Sequence, residues 1–369
     1  MFGLSAVNSK LSCYFTGKFF VFGLVFLVGS SLLFSPAMMG QGFDPSRCDY
    51  KPIHGTWYIG WDRASYGSGA VERDLFRIKN GLCSAYISLQ ANVYQDNKYS
   101  SDPYIDDRTV DDETLANVVN KVHELGMKVV LLTPLRPDDG TWEGEIQPRD
   151  LATWFDHWEK ILVHYAKFAE EHEVEILLLG SELPTLRDVS GRWKGIIEEV
   201  RKHYSGEISF SVNFWTKRSE FREILNMTQW EDMDYIGITG YFELTPSNNP
   251  SIDRLKRAWS SDLHGQNVIE DLKRLRNKFD KPVVFWEIGY QSKNGTNTYP
   301  WNYLKEGKKD EEEQKDSWIG FLRAIKGKEW IHGFMAFAEQ VGLPRDKPGY
   351  HGYNMLGKKV QTVFCNICQ

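Results

Sequence analysis

The chain has 369 residues, of which 41% are hydrophobic and 25% charged, a balance typical of a globular protein and not of a disordered one. Its formal net charge is −6 and no run rich in lysine and arginine occurs, which argues against a nucleic-acid partner. Aromatic residues make up 14% of the chain, and this abundance favours a surface that stacks on flat ligands.

The N-terminal segment predicts export from the cytoplasm. Lys10 and Lys18 precede an apolar run from Phe19 to Phe34, and small residues follow at 35–37, as in a secretory signal. A helix over that run would span only about 24 Å, less than the ~30 Å of membrane hydrocarbon, but extension to Met39 would just cross it. We therefore expect residues 1–40 to be a signal peptide or an uncleaved signal anchor. The rest of the chain is then secreted or otherwise extracytoplasmic, with membrane contact only through such an anchor.

From Gly55 onward, short apolar runs alternate with longer amphipathic ones. Several of the short runs are continuously apolar, a pattern typical of strands buried on both faces of a parallel sheet. The predicted strands are Gly55–Trp61, Cys83–Leu89, Lys128–Leu132, Glu175–Gly180, Glu207–Asn213, Tyr235–Gly240, Val283–Trp286 and Ile331–Phe337.

The intervening segments predict helices. Asp111 is a predicted N-cap, apolar residues recur at helical spacing from Leu115 to Leu125, and Gly126 ends the helix. A second apolar face runs from Leu151 to Tyr165, and the acidic run Asp310–Glu313 predicts another helix start.

Eight strand–helix units predict an α/β fold, a single-domain (β/α)8 TIM barrel over residues 45–369. A doubly wound sheet is the alternative, but no glycine-rich phosphate motif follows the first strand.

Four cysteines follow the leader, Cys48, Cys83, Cys365 and Cys368, and they allow three pairings. We expect a disulfide from Cys48 to the C-terminal pair, because it would tie the two ends of the domain together. The C-terminal pair has the spacing of metal ligands, but no second pair of matching spacing occurs. The sequence therefore predicts neither a metal nor a cofactor.

Two carboxylates mark the candidate active site. In a TIM barrel the active site forms at the carboxyl ends of the strands, and Glu182 follows the fourth strand while Glu287 ends the seventh. These two strand ends face each other across the ring. Two such carboxylates, one protonated and one ionised, can hydrolyse a glycosidic bond. Asp62, Glu243 and Glu339 are rival carboxylates, each less well framed by a buried strand.

Aromatic and amide side chains at neighbouring strand ends suit a carbohydrate, since aromatic faces stack on pyranose rings and amides bond to hydroxyls. The candidates for substrate binding at the first, second, fifth and seventh strands are Trp61, Asn92, Tyr94, Asn213, Trp215 and Trp286.

From about His54 to Cys365 the sequence resembles glycoside hydrolase family 113, a β-mannanase family within the clan of retaining (β/α)8 glycosidases. The stretches that carry the resemblance are Tyr94-Gln95-Asp96, Leu125-Gly126-Met127-Lys128-Val129, Gly140-Thr141-Trp142, Gly180-Ser181-Glu182-Leu183, Trp230 through Asp234-Tyr235-Ile236-Gly237-Ile238, Lys281-Pro282-Val283, Glu287-Ile288-Gly289-Tyr290 and Pro300-Trp301.

The resemblance implies that Glu182 is the acid/base, that Glu287 is the nucleophile, and that Tyr241 orients Glu287 and lowers its pKa through a hydrogen bond. It also implies substrate contacts for Trp142, Ser181 and Phe337, where the family pattern changes. Ser181 stands where the clan usually has an asparagine that binds the sugar 2-hydroxyl. Glu143 stands where the family has arginine in Trp-Arg-Gly, and the last strand ends without the expected tryptophans.

The sequence thus predicts a retaining glycoside hydrolase that cleaves β-linked, mannan-like poly- or oligosaccharides. The alternative is a non-catalytic glycan-binding protein on the same barrel, which the altered sugar contacts favour and the two intact glutamates oppose.

Overall fold

Eight parallel strands close into a barrel in the computed structural model, which describes residues 51–187, 189–344 and 352–366. The strands follow one another around the ring in chain order, and the last pairs with the first. The barrel strands are β1 (Ile53–Ile59), β2 (Tyr86–Gln90), β4 (Lys128–Leu132), β6 (Ile176–Ser181), β7 (Glu207–Val212), β8 (Tyr235–Thr239), β9 (Val283–Ile288) and β10 (Ile331–Gln340), with β3 (Val93–Gln95) and β5 (Leu135–Pro137) outside the ring. The predicted (β/α)8 fold is confirmed.

Helices connect the strands and cover the outside of the barrel. Asp111 caps α3 by accepting a hydrogen bond from Thr114 N, and Asp310 caps α9 in the same way, as their sequences predict. The helices are α1 (Arg63–Tyr66), α2 (Val71–Leu82), α3 (Asp112–Glu124), α4 (Leu151–Glu171), α5 (Ser190–Arg201), α6 (Arg218–Asn226), α7 (Ile252–Ala258), α8 (Val268–Phe279), α9 (Glu311–Ile325) and α10 (Gln361–Asn366).

Each barrel strand contributes to two apolar layers because its side chains alternate between two faces. In β6, Ile176 and Leu178 belong to the cluster inside the barrel, whereas Leu177 and Leu179 pack outward against the helices. This double burial explains the continuously apolar strand sequences.

The two strands outside the ring form a small parallel sheet at its carboxyl end. Val93 pairs with Leu135, and the main-chain N–H of Val93 also bonds to Pro134 O at 2.9 Å. The loops after β2 and β4 are therefore held together beside the mouth of the barrel. The sequence does not predict this sheet.

The expected cysteine pairing is wrong for Cys365, which forms a disulfide with Cys83 across a sequence separation of 282 residues. Cys83 follows α2 directly and α10 carries Cys365, so the bond joins two helices that pack side by side on the barrel wall. Cys48 and Cys368 lie outside the described residues.

The predicted leader at residues 1–40 also lies outside the described residues. Among the helices that the structure does describe, none is long and apolar enough to cross a membrane.

Candidate active site

Glu182 leaves the carboxyl end of β6 in a left-handed backbone conformation, with φ of 54°. Its main-chain N–H bonds to Ser211 O at 3.0 Å, which fixes the turn to the neighbouring strand. Gly180 allows this close approach, because a Cβ there would lie 2.5 Å from the ring of Phe210. The chain is thus bent sharply where the carboxylate enters the mouth of the barrel.

Glu287 lies near the end of β9, where the hydroxyl of Tyr241 donates a hydrogen bond to its Oε1 at 2.6 Å. The main chain is linked one residue earlier, because the N–H of Gly240, which precedes Tyr241, donates to Glu287 O at 2.6 Å. Tyr241 is only 6% exposed, so its hydroxyl is held within the wall of the mouth. This is the contact between the two side chains that the sequence predicts.

Trp142 reaches the same site from the loop after β5. Its indole N–H bonds to Glu182 Oε2 at 3.3 Å, while 46% of the residue remains exposed. Gly144 lies under the ring, where a Cβ would be 2.3 Å from Trp142. The Trp-x-Gly spacing therefore serves to fold the indole back toward Glu182, and it puts Glu143 in a 3-10 turn (Glu143–Glu145) beside the carboxylate pair.

The pKa of Glu182 lies well above its usual range, mainly because the carboxyl group is buried and further because Glu287 and Glu143 are close. Burial also raises the pKa of Glu287 to about 7, against the lowering effects of the Tyr241 hydrogen bond and the Arg136 charge. Burial likewise raises the pKa of Glu143, opposed by Arg136. Arg136 therefore offsets part of the burial effect on Glu287 and Glu143, two of the three carboxyl groups.

Arg136 and the position of Glu143 are the parts of the site that the sequence did not predict. Arg136 belongs to β5 and its guanidinium lies 5.5 Å from the ring of Trp61. The sequence feature that could have indicated Arg136 is its position four residues after the end of β4, at the same end of the barrel as the other site residues.

The three rival carboxylates have other partners. Asp62 caps α1 by accepting Ser65 N at 2.9 Å. Glu339 is 5% exposed and accepts the main-chain N–H groups of Met355 and Leu356, at 2.6 and 2.9 Å. Glu243 accepts the indole N–H of Trp301 at 2.8 Å. Each of these carboxylates is thus bonded by a neighbour other than Glu182 or Glu287.

Several predicted sugar contacts lie at the rim of this site. Trp61 is partly exposed, and Asn92, which is buried, donates to its carbonyl oxygen at 3.2 Å. Ser181 and Asn213 are half-buried at the ends of β6 and β7. Phe337 is 9% exposed and packs edge-on with Trp57 and Tyr241. Its aromatic contacts place it in the inner wall of the mouth.

Three predicted stacking residues are not presented to a ligand. Trp215 is fully buried and its indole N–H bonds to Asp271 at 3.2 Å, because the chain turns outward after β7. Trp286 is 1% exposed inside the barrel, where its indole N–H bonds to the hydroxyl of Ser209 at 2.7 Å. Tyr94 is 8% exposed and is covered by Arg108, whose guanidinium lies 3.7 Å from the ring. We therefore correct the expectation that these three side chains stack on a sugar.

The model of Glycoside Hydrolase Family 113 matches residues 55–358. The chain belongs to this family. Family 113 membership makes the chain a glycoside hydrolase, as its sequence predicts, and the matched region includes both strand-end glutamates.

Solved structures share the fold at low sequence identity. A GH113 β-1,4-mannanase in a complex structure has 23% identity and a TM-score of 0.74, covering 86% of this chain and 99% of its own. The GH113 β-mannanase AaManA from Alicyclobacillus acidocaldarius, in complex with ManMIm, has 21% identity and a TM-score of 0.75, covering 87% and 98%. An endo-1,4-β-D-mannanase from Thermotoga petrophila RKU-1 has 14% identity and a TM-score of 0.54, covering 86% and 99%. No curated protein sequence matches the chain.

Proposed function

We propose that this family 113 protein is a retaining β-mannanase that cleaves β-linked, mannan-like poly- or oligosaccharides. The carrying observation is the unequal surroundings of two facing glutamates. Tyr241 donates a hydrogen bond to Glu287 and favours its ionised form, whereas burial and neighbouring anions favour the protonated form of Glu182. An acid and a nucleophile need this difference.

In the first step, the Glu182 carboxyl group donates its proton to the glycosidic oxygen as the bond to the anomeric carbon breaks. A Glu287 oxygen attacks that carbon and forms a covalent glycosyl-enzyme. Tyr241 holds the Glu287 carboxylate in position through the short hydrogen bond to Oε1. In the second step, ionised Glu182 takes a proton from water, the water oxygen attacks the anomeric carbon, and Glu287 leaves as a carboxylate.

This mechanism requires the two carboxyl groups to lie about 5–5.5 Å apart, the retaining separation, since a wider gap would admit a water for single displacement. The product then keeps the configuration of the substrate at the anomeric carbon.

The substrate proposal combines family membership with the residues at the rim. Three of the related structures are named as mannanases, and this chain offers Trp142 as an exposed ring beside the acid/base. Ser181 replaces the clan's asparagine, so we expect it to reach the sugar 2-hydroxyl through a water.

We further propose that residues 45–369 form the catalytic domain and that it works outside the cytoplasm, secreted or tethered by the 1–40 leader. The leader pattern supports export, and the Cys83–Cys365 disulfide suits an oxidising compartment.

The decisive experiment tests Glu182→Gln on two aryl β-mannosides that differ in leaving-group basicity. The variant lacks the proton donor, so hydrolysis of the poor leaving group should fall by about 10²–10⁴-fold, and that of the activated one far less. Glu145→Gln, an exposed glutamate two residues beyond Glu143, is the matched control and should behave as wild type.

Equal losses on both aryl mannosides would contradict the acid/base role. Binding of manno-oligosaccharides by the wild type without any cleavage would instead favour the glycan-binding alternative, and cleavage of other β-hexosides alone would correct the sugar.

A further inference from the structure

Trp301 presents an unusual combination of exposure and fixed orientation. The residue is 44% exposed, yet its indole N–H bonds to the buried Glu243 at 2.8 Å. The polar edge of the indole is thus satisfied by a carboxylate. The indole is therefore held at its polar edge while much of its apolar surface remains open.

Glu243 is itself held on its second oxygen. His264 Nε2 lies 2.8 Å from Glu243 Oε2, and the main-chain N–H of Leu263 bonds to Glu243 O at 2.9 Å. Asp262 in turn accepts the main-chain N–H of His264 at 2.9 Å. The loop after β8 and the loop at 261–266 thus fix the carboxylate that fixes Trp301.

Contacts on the other side connect the Trp301 segment to Tyr241, the residue that bonds to the proposed nucleophile. Tyr241, which bonds to Glu287, comes two residues before Glu243 in the same loop. The hydroxyl of Tyr353 donates to Pro300 O, and the Tyr353 ring lies 6.1 Å from that of Tyr241. Trp301 therefore stands on the rim beyond the Tyr241–Tyr353 wall, on the Glu287 side of the mouth.

We propose that Trp301 is a stacking residue of an outer carbohydrate subsite, with Glu243 and His264 as its positioning residues. The ligand is a pyranose ring of the same oligosaccharide, at least one sugar unit away from the sugar attacked by Glu287. The C–H face of a pyranose is an apolar surface that matches an exposed indole face, and a preset ring loses less conformational entropy on binding. This inference rests on the proposed function and extends it to longer substrates.

The test compares Trp301→Ala and Trp301→Phe on manno-oligosaccharides of increasing length and on an aryl β-mannoside. The alanine variant should raise KM for the longest substrate about tenfold with little change in kcat, and the loss should shrink as the substrate shortens. The phenylalanine variant keeps a ring but loses the N–H, so it should recover part of the loss. Tyr303→Ala, a 42% exposed aromatic on the same loop, is the matched control expected to behave as wild type.

The positioning role is tested with Glu243→Gln, which keeps an acceptor for the indole but loses the charge opposite His264. We expect a smaller rise in KM than for Trp301→Ala, with the same dependence on substrate length. A loss of equal size on all substrates, or a loss confined to kcat, would overturn the subsite.

Failure of the proposed function is visible separately, because the wild type would then cleave none of these substrates. In that case, calorimetric titration of wild type and Trp301→Ala with mannohexaose tests Trp301 by binding alone. Equal affinity of the two proteins would overturn the inference, and weaker binding by the variant would support it.

Discussion

The strand β6 has a glutamate at each end, and the two occupy contrasting surroundings. Glu175, just before its first residue, accepts the main-chain N–H of Val129 at 2.8 Å and lies 3.3 Å from His123 Nε2. Glu182, just after its last residue, lies instead close to other carboxyl groups and accepts a hydrogen bond from the indole N–H of Trp142. The two ends of one strand therefore carry a carboxylate with hydrogen-bond donors and a carboxyl group close to other carboxyl groups.

The contrast extends around the barrel. At the amino end of β8, Asp234 accepts the main-chain N–H of Ile208 at 2.7 Å and pairs with Arg201 at 2.5 Å. At the carboxyl end of β9, burial raises the pKa of Glu287 to about 7. The carboxylates at the amino ends of the strands have hydrogen-bond donors, whereas the carboxyl groups at the mouth have raised pKa values, as the proposed proton transfer requires. Substitutions at the two ends should accordingly separate stability from activity.

The largest expected effect is at the mouth. Glu287→Gln removes the proposed nucleophile, so kcat/KM on an aryl β-mannoside should fall on the order of 10³–10⁴-fold. The melting temperature should not fall, because the substitution removes a buried negative charge next to Glu182 and Glu143.

A second measurement on the wild type uses a fluorinated slow substrate that traps the glycosyl-enzyme, followed by peptide mapping. We expect the label on Glu287. A label on Glu243 or Glu339, or a product of inverted configuration, would show that another carboxylate or mechanism operates.

The second effect should appear in stability alone. Replacing both Cys83 and Cys365 by alanine removes a cross-link over 282 residues, which should lower the free energy of unfolding by about 2–4 kcal/mol. Denaturant unfolding measures this change, with the wild type under reducing conditions as the comparison. Activity below the unfolding transition should stay within about twofold of wild type, and a much larger loss would mean that the α2–α10 contact reaches the mouth.

The sequence predicted the barrel well because buried parallel strands are marked by their own composition. Lys128–Leu132 has the predicted bounds, and the other seven barrel strands overlap their predictions with differences at the ends. Short β5 was missed since Leu135-Arg136-Pro137 is too brief, and too unlike a strand, to stand out; its pairing with β3 depends on two loops meeting in space.

The candidate site was predicted in part, because some of its residues are marked by their place after a predicted strand. Glu182, Glu287 and Tyr241 come directly after strand signals, so the fold class alone brings them together. Trp286 and Trp215 share that position in sequence, but which face a side chain takes depends on local register and on where the chain turns. The pairing of β8 with β9 shifts in register next to Glu287, and composition does not reveal such a shift.

A third prediction concerns Glu175, at the amino end of β6. Glu175→Gln keeps one acceptor oxygen but removes the charge next to His123, so we expect a loss of about 1 kcal/mol in the free energy of unfolding. Thermal and denaturant unfolding would measure it, with exposed Glu145→Gln as the neutral comparison. Unchanged kcat/KM is expected. Lost activity at unchanged stability would contradict the division of roles between the amino ends of the strands and the mouth.

The smallest effect tests how strongly the mouth carboxylates act on one another. Glu143 raises the pKa of both Glu182 and Glu287, so Glu143→Gln should lower both. Activity requires Glu287 ionised and Glu182 protonated, so the acid limb of the kcat/KM profile follows Glu287 and the alkaline limb follows Glu182. Both limbs should therefore move to lower pH, with less than about a tenfold change at the optimum, because Glu143 contacts no reacting atom in the proposed mechanism.

The control for this shift is again Glu145→Gln, which lies in the same 3-10 turn but is exposed and should leave the profile in place. Glu143→Arg, which restores the family's Trp-Arg-Gly pattern, should move both limbs further in the same direction, since a cation replaces the anion beside both carboxyl groups. Movement to higher pH in either variant would contradict this coupling, and a profile that stays fixed in Glu143→Gln would show that Arg136 already neutralises Glu143. In that last case, the carboxylates of the mouth would be as well paired as those at the amino ends of the strands.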